Sequence, residues 1–179
     1  MNQDINQLIE HCKKGDAKAQ FAIYKLYYKA MYNTAFRIVN DSFEAEDVMQ
    51  NSFLSAFTKL DSFSGQVAFG AWLKKIVINN SITALKNNKK FEMVPLEKVA
   101  VKGIEEDCAD YSELDVSEIL NKISTLKSNY KVALTLNLIE GYDCEEVAQI
   151  MGISYENTRT TISRAKGKLR QLLSETYAR

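Results

Sequence analysis

Apolar residues recur at helical spacing along most of the chain, and no stretch shows the sustained alternation of apolar and polar residues that is typical of strands. Seven glycines and one proline leave few interior positions that would break a helix. The pattern therefore predicts an all-α protein. Gly15 and Asp16 interrupt the first long run, residues 5–39, and Asp16 is suited to cap a helix that begins near Ala17.

Two more helices are predicted in the first half of the chain. The first follows the turn at residues 40–42 and runs from Phe43 to about Leu60. Its apolar side chains, which we expect to turn inward, are Val48, Phe53, Leu54 and Phe57. The second spans residues 70–86 and places a set of polar side chains on one face, because they are spaced by four, four and three residues. These are Lys75, Asn79, Thr83 and Lys86.

The sequence pattern in the last third of the chain predicts two helices joined by a turn of three residues. Asp143 and Glu146 form a capping-box pattern at the start of a helix over residues 143–151. Gly152 suits the positive φ of a helix end, and Ser154 suits the cap of the next helix, over residues 155–171. The spacing matches a helix-turn-helix, with supporting helices expected at residues 114–126 and 129–140.

The net charge is zero, but the charges are unevenly distributed. Residues 74–90 carry five lysines and no acid, and residues 159–179 carry six basic side chains against one acid. Between them, residues 92–118 carry nine acids and two lysines. We therefore predict two small helical domains, residues 1–91 and 114–179, joined by an acidic linker at residues 92–113.

The second helix of the helix-turn-helix carries a polar and cationic outer face. Such a face suits a helix lying in the major groove of DNA with phosphates alongside. An amphipathic surface helix at the end of a bundle is the alternative. The residues expected on or beside this face are Ser154, Glu156, Arg159, Thr160, Ser163, Arg164 and Lys166.

Three segments resemble the extracytoplasmic-function group of bacterial RNA polymerase sigma factors. Residues 44–53 resemble the family segment DAEDLVQETF, residues 71–79 resemble AWLYRIARN, and residues 152–154 with 164–166 follow the pattern GIS…RAR. The resemblance implies a sigma factor that binds core polymerase and directs promoter recognition. It implies that the first of these helices docks on the clamp helices of the polymerase β′ subunit. The residues carried over for that contact are Glu46, Asp47, Gln50, Asn51 and Phe53.

The resemblance also assigns two promoter contacts. It implies that the first domain opens the −10 element and that the loop at residues 63–69 captures a base flipped from the non-template strand. The residues predicted for this contact are Phe63, Gln66, Phe69, Lys74, Lys75, Asn79 and Lys86. It implies that the second domain binds the −35 element, which adds Tyr155 and Asn157 to the outer-face residues given above. The chain departs from the family pattern at Lys74, Ile78, Thr83, Thr158 and Thr161.

Further partners implied by the resemblance are the polymerase β flap and an anti-sigma factor. Cys12, Cys108 and Cys144 are scattered, and no catalytic set or phosphate-binding loop can be assembled, so we expect no enzyme activity, cofactor or metal. No apolar run is long enough to cross a bilayer, and the first residues lack a signal peptide, so we expect a cytoplasmic protein without membrane insertion. Two alternatives remain open: a stand-alone helix-turn-helix regulator, and a sigma-like adaptor that binds regulators but not DNA.

Overall fold

The regular structure in the described residues, 5–88 and 115–177, of a computed structural model is entirely helical. This confirms the predicted all-α class. A 3₁₀ turn at Leu60–Ser62 and a π-helical turn at Thr135–Ile139 accompany the α-helices. The α-helices are α1 (Ile5–Lys13), α2 (Ala17–Val39), α3 (Ser42–Thr58), α4 (Phe69–Asn87), α5 (Val116–Thr125), α6 (Ser128–Leu134), α7 (Cys144–Met151) and α8 (Tyr155–Tyr177).

The helices divide into two units, Met1–Asn88 and Lys89–Arg179. This agrees with the predicted two-domain layout. The predicted acidic linker, residues 92–113, lies outside the described residues, so the exact domain limits stay predictions.

Side-chain caps fix where the helices of the first unit begin. The Asp16 carboxylate accepts the backbone N–H of Lys18 at 2.8 Å, which starts α2 at the predicted place. Asp41 caps α3 by accepting the Glu44 N–H at 3.0 Å. The turn before α3 is made by Asn40, which ends α2 with a φ of 60°. Helix α3 therefore begins within the predicted turn, one residue before Phe43.

The core of the first unit lies among α2, α3 and α4. Its largest fully buried side chains include Ile23, Met31, Ile38, Leu73 and Ile78. The prediction that Leu54 turns inward is wrong, because this side chain is 65% exposed. Phe53 packs against Tyr24 of α2, and Leu54, about 100° further around the helix, lies on the exposed side.

The second unit has its own core, in which α5, α6 and α8 meet. Its cluster consists of Ile123, Leu126, Leu134, Ala165, Leu169 and Leu173. The two supporting helices occur where the sequence predicts them, although the second changes to π-helical geometry at Thr135. This core holds α8 in place, so the far side of α8 remains available to a partner.

Candidate functional site

Helix α3 presents a row of polar side chains to solvent. Glu46, Asp47, Gln50 and Asn51 are all exposed, as predicted. Gln50 Nε2 donates a hydrogen bond to Glu46 Oε1 at 3.2 Å. The carboxylates lie in the first half of the helix, where the positive end of the helix dipole favours them.

Two large apolar side chains flank this polar row. Phe43 is 82% exposed and Leu54 is 65% exposed. Together with Asp47 and Gln50 they follow the spacing i, i+4, i+7 and i+11, which places all four on one side of the helix. Neither Phe43 nor Leu54 was predicted for this site, although their spacing is present in the sequence.

Phe53 does not belong to the exposed face of α3. Its side chain is 3% exposed, and its ring centroid lies 4.9 Å from that of Tyr24 on α2. The prediction of Phe53 as a contact residue is therefore wrong. Its position in the α2–α3 interface indicates that it holds α3 in place.

Four aromatic rings meet at the base of the loop that connects α3 to α4. Phe63 lies edge-on to Phe69 with ring centroids 5.5 Å apart, and it lies 5.3 Å from Trp72. Phe69 contacts Trp72 at 5.6 Å and Tyr27 of α2 at 5.6 Å. Phe69 is only 4% exposed, so the prediction of a direct DNA contact by this ring is wrong. We call these four residues the aromatic clamp.

The loop residues between the two phenylalanines, 64–68, are all exposed. Gly65 has a φ of 74°, which glycine adopts without a steric penalty. The Gln66 backbone N–H donates to Ser64 Oγ at 3.4 Å. The loop therefore extends Gln66 and Val67 into solvent from a base that the aromatic clamp holds together, and Phe63 is half-buried at its edge.

The predicted polar face of α4 is present. Lys75, Asn79, Thr83 and Lys86 are exposed together. Lys74 is half-buried and lies one residue, or about 100°, from Lys75, so it is not on this face, and its contact with the −10 element stays a prediction. A groove of about 570 Å³ separates the α4 face from α3. Its lining includes Asn51, Leu54, Lys59, Asn80, Thr83 and Asn87.

The helix-turn-helix has the predicted local chemistry. Asp143 and Glu146 form a complete capping box at the start of α7. Gly152 ends α7 with a φ of 71°, and Ser154 Oγ accepts the Asn157 N–H at 3.3 Å at the start of α8. Thr158 is fully buried, which explains how it fits at a position where the family has valine.

Helix α8 exposes one line of polar and charged side chains. Glu156 and Arg159 are exposed, Ser163 and Lys166 are half-buried, and Arg170 is exposed further along. The Arg159 guanidinium carbon lies 6.0 Å from the ring centroid of Tyr155, which is itself 43% exposed. Of the other predicted residues, Ser154 is exposed, and Asn157, Thr160 and Arg164 are half-buried at the flanks.

Burial raises the pKa of two side chains, Tyr142 and Cys12. Burial, followed by the carboxylates of Glu140 and Glu146, raises the pKa of the Tyr142 phenol beside α7. Burial and, to a lesser extent, Asp16 raise the pKa of the Cys12 thiol, so a smaller fraction of it is present as the reactive thiolate. Within the described residues there is no cluster of three potential metal ligands, and no helix is long and apolar enough to span a membrane.

Comparison with known proteins matches both units to one family. Residues 23–91 match Sigma-70 region 2, and residues 117–169 match Sigma-70 region 4. The chain is 30% identical to the RNA polymerase sigma-H factor of Pseudomonas aeruginosa over 172 residues, covering 89% of each chain. It is 27% identical to the ECF RNA polymerase sigma factor SigW of Bacillus subtilis, covering 98% of this chain and all of the relative.

Solved structures show the same fold. The sigma factor RpoE of Bartonella quintana, solved in complex with the anti-sigma factor NepR, is 25% identical and gives a TM-score of 0.57 over 86% of this chain and 95% of that one. CnrH, solved with the cytosolic domain of CnrY, is 21% identical and gives a TM-score of 0.56 over 96% of this chain and 99% of that one. The chain belongs to the sigma-70 family as an extracytoplasmic-function RNA polymerase sigma factor, a protein that directs transcription initiation.

Proposed function

We propose that the exposed side of α3 docks on the β′ clamp helices of core polymerase. The observation that carries this proposal is the alignment of Phe43, Asp47, Gln50 and Leu54 along one side of α3. Large apolar side chains that are exposed beside polar groups are typical of protein interfaces, where burial of the apolar surface supplies affinity and the polar groups supply specificity. Glu46 and Asn51 border the same surface, and Phe53 supports it from the core.

We propose that the loop at residues 64–68 and the polar face of α4 contact the −10 element. Lys75 and Lys86 supply positive charge for phosphates, and Asn79 lies between them. In this proposal the exposed Gln66 contacts an unstacked base of the non-template strand, with the half-buried Phe63 ring at the loop's edge. Phe69 acts indirectly, through the aromatic clamp.

We propose that the exposed line of α8 contacts the −35 element in the major groove. Arg159 has the geometry for bidentate hydrogen bonds to a guanine, and Lys166 and Arg170 are suited to phosphates. Glu156 and Ser163 complete the line, which is flanked by Ser154, Tyr155, Asn157, Thr160 and Arg164. Polymerase holds both units on the same promoter, so two weak contacts act together through high effective concentration.

The proposal extends to regulation and location. RpoE of Bartonella quintana was solved with an anti-sigma factor, and we propose that this chain also has such a partner. We propose that it acts in the cytoplasm beside polymerase, also contacts the β flap, and catalyses no reaction of its own. A stand-alone regulator would leave the exposed row on α3 without a role.

Affinity capture with core polymerase followed by run-off transcription tests the function. We expect the chain to bind core polymerase and to direct transcripts from a promoter that has both elements. Binding to DNA without polymerase, and no promoter-directed transcript, would support a stand-alone regulator instead. Capture of a regulator with neither DNA binding nor transcription would support an adaptor.

A further inference from the structure

Tyr27 on α2 packs closely against Gly70 at the start of α4. A methyl group added at Gly70 would stand 2.8 Å from Tyr27 Cε1 and 3.5 Å from Tyr27 Cδ1. Carbon atoms in favourable contact are about 3.5–4.0 Å apart, so a methyl group fits only if the ring moves. The glycine is therefore needed here for the close approach of the tyrosine ring.

Within the aromatic clamp, the Tyr27 ring links α2 to the other three rings. Its centroid lies 5.6 Å from that of Phe69, at an interplanar angle of 58°. Phe69 in turn contacts Phe63 and Trp72 at 5.5 Å and 5.6 Å. A displacement of Tyr27 therefore changes the packing of the buried Phe69 ring, which in turn contacts Phe63.

Phe63 and Phe69 border the two ends of the loop at residues 64–68. Their mutual contact sets the separation of the loop ends, and therefore the place from which Gln66 and Val67 extend. Tyr27 is far from Gln66 in sequence and belongs to a helix that carries none of the proposed DNA contacts. Tyr27 is therefore connected to the loop through ring packing and not through DNA.

We propose that Tyr27, seated against Gly70, is a positioning residue that fixes the base-capturing loop through Phe69 and Phe63. This inference rests on the proposed capture of a non-template base by that loop. Tyr27 does not touch DNA. Its ring, rather than its hydroxyl group, carries the role, because the contacts that connect it to the clamp are ring contacts.

The experiment measures open-complex formation by the full chain with core polymerase. The promoters carry an abasic site at each −10 position of the non-template strand in turn, and the position to which the wild-type protein is most sensitive identifies the captured base. On the intact promoter we expect Tyr27→Ala and Gly70→Ala to slow open-complex formation about tenfold, a loss within what one captured base contributes. Tyr27→Phe keeps the ring and should match the wild-type protein.

The abasic promoter separates a positioning role from a general structural one. There, the wild-type protein should fall to the level of Tyr27→Ala and Gly70→Ala, and these variants should fall no further, because the base that the loop would hold is gone. Phe21→Ala is the matched control: it removes an exposed ring from the same helix and should behave as the wild-type protein on both promoters. Equal polymerase affinity of all variants, measured by competition, shows that the unit is folded.

Two results would overturn the proposal, and they differ from each other. If Tyr27→Ala and Gly70→Ala lose the same factor on the abasic promoter as on the intact one, the two residues do not act through the captured base. If the wild-type protein is insensitive to an abasic site at every −10 position, base capture by the loop is itself wrong, and the positioning role fails with it.

Discussion

Helices α3 and α8 present opposite kinds of surface, although each is anchored by a buried face of similar chemistry. The exposed side of α3 combines carboxylates with two large apolar side chains, Phe43 and Leu54. The exposed line of α8 is polar and mainly cationic, and its aliphatic side chains Ile162 and Leu169 are buried. Protein partners gain affinity from burial of apolar surface, whereas DNA gains it from phosphate neutralisation. The difference supports the proposal that α3 contacts a protein and α8 contacts DNA.

The largest expected effect is on stability, and it distinguishes the buried ring of α3, Phe53, from the exposed ring, Phe43. Phe53→Ala should lower the free energy of unfolding by about 3–5 kcal/mol, because it leaves a cavity between α2 and α3. Phe43→Ala, at a ring that is 82% exposed, should change it by no more than about 0.5 kcal/mol. The single tryptophan, Trp72, lies in this unit, so its fluorescence during urea unfolding reports the unit alone. Equal destabilisation by both variants would contradict the assigned orientation of α3.

Removing Arg159 from the exposed line of α8 tests the proposed contact with DNA. Arg159→Ala should weaken binding to the −35 element by about 1–3 kcal/mol if the side chain contacts a guanine, and by less if it holds a phosphate. Filter binding across variants of the element distinguishes the two. The control is Lys168→Ala, a cation on the other side of the helix whose Nζ contacts Gln171 at 3.0 Å. Unchanged affinity of Arg159→Ala for every variant would remove Arg159 from the interface.

Removing Leu54 from the exposed side of α3 tests the proposed contact with polymerase. Leu54→Ala should weaken polymerase binding by about 1–2 kcal/mol, since the proposed contact buries a leucine that is exposed in the free chain. Competition with a labelled wild-type chain measures the loss. The matched control is Leu26→Ala on α2, where the leucine is 62% exposed and outside the proposed surface. Equal losses from both variants would argue against a specific surface on α3.

The smallest expected effect is on the salt dependence of DNA binding by α8. Lys166→Ala should reduce the slope of log affinity for −35 DNA against log salt concentration by about 1, because one phosphate contact is lost. The same substitution should leave polymerase binding by α3 and its salt dependence unchanged. A slope equal to that of the wild-type protein would show that Lys166 does not hold a phosphate.

The features that the sequence predicts best are those fixed by local chemistry. The capping box at Asp143, the positive φ at Gly152 and the cap at Ser154 depend only on neighbouring residues, so the helix-turn-helix and its turn follow from the pattern. The end of α8 does not, because this helix continues to Tyr177, beyond the predicted end at residue 171. The family resemblance likewise identifies α3 and α4 correctly as helices. Local patterns were sufficient for the elements and for most of their exposed polar residues.

The sequence fails where an answer depends on the rotation of a helix about its axis. Helix α3 has apolar residues on several sides, so its pattern did not determine whether Phe53 or Leu54 is buried. Phe69 was assigned to DNA by motif position, whereas contacts with Tyr27, distant in the chain, bury it. Lys74 was assigned to the −10 contact by its place in the family segment, but it lies about 100° from Lys75 and does not share the exposed face of α4. Tertiary packing decides each of these cases.

The most direct test of the account is the affinity of core polymerase for the double variant Asp47→Ala/Gln50→Ala. The matched control is Gln7→Ala/Glu10→Ala, which removes an exposed amide and an exposed carboxylate with the same spacing from α1. If α3 docks on core polymerase, the α3 variant loses polymerase capture and run-off transcription while its unfolding curve is unchanged. The α1 variant keeps both activities. Wild-type capture and transcription by the α3 variant would contradict this docking.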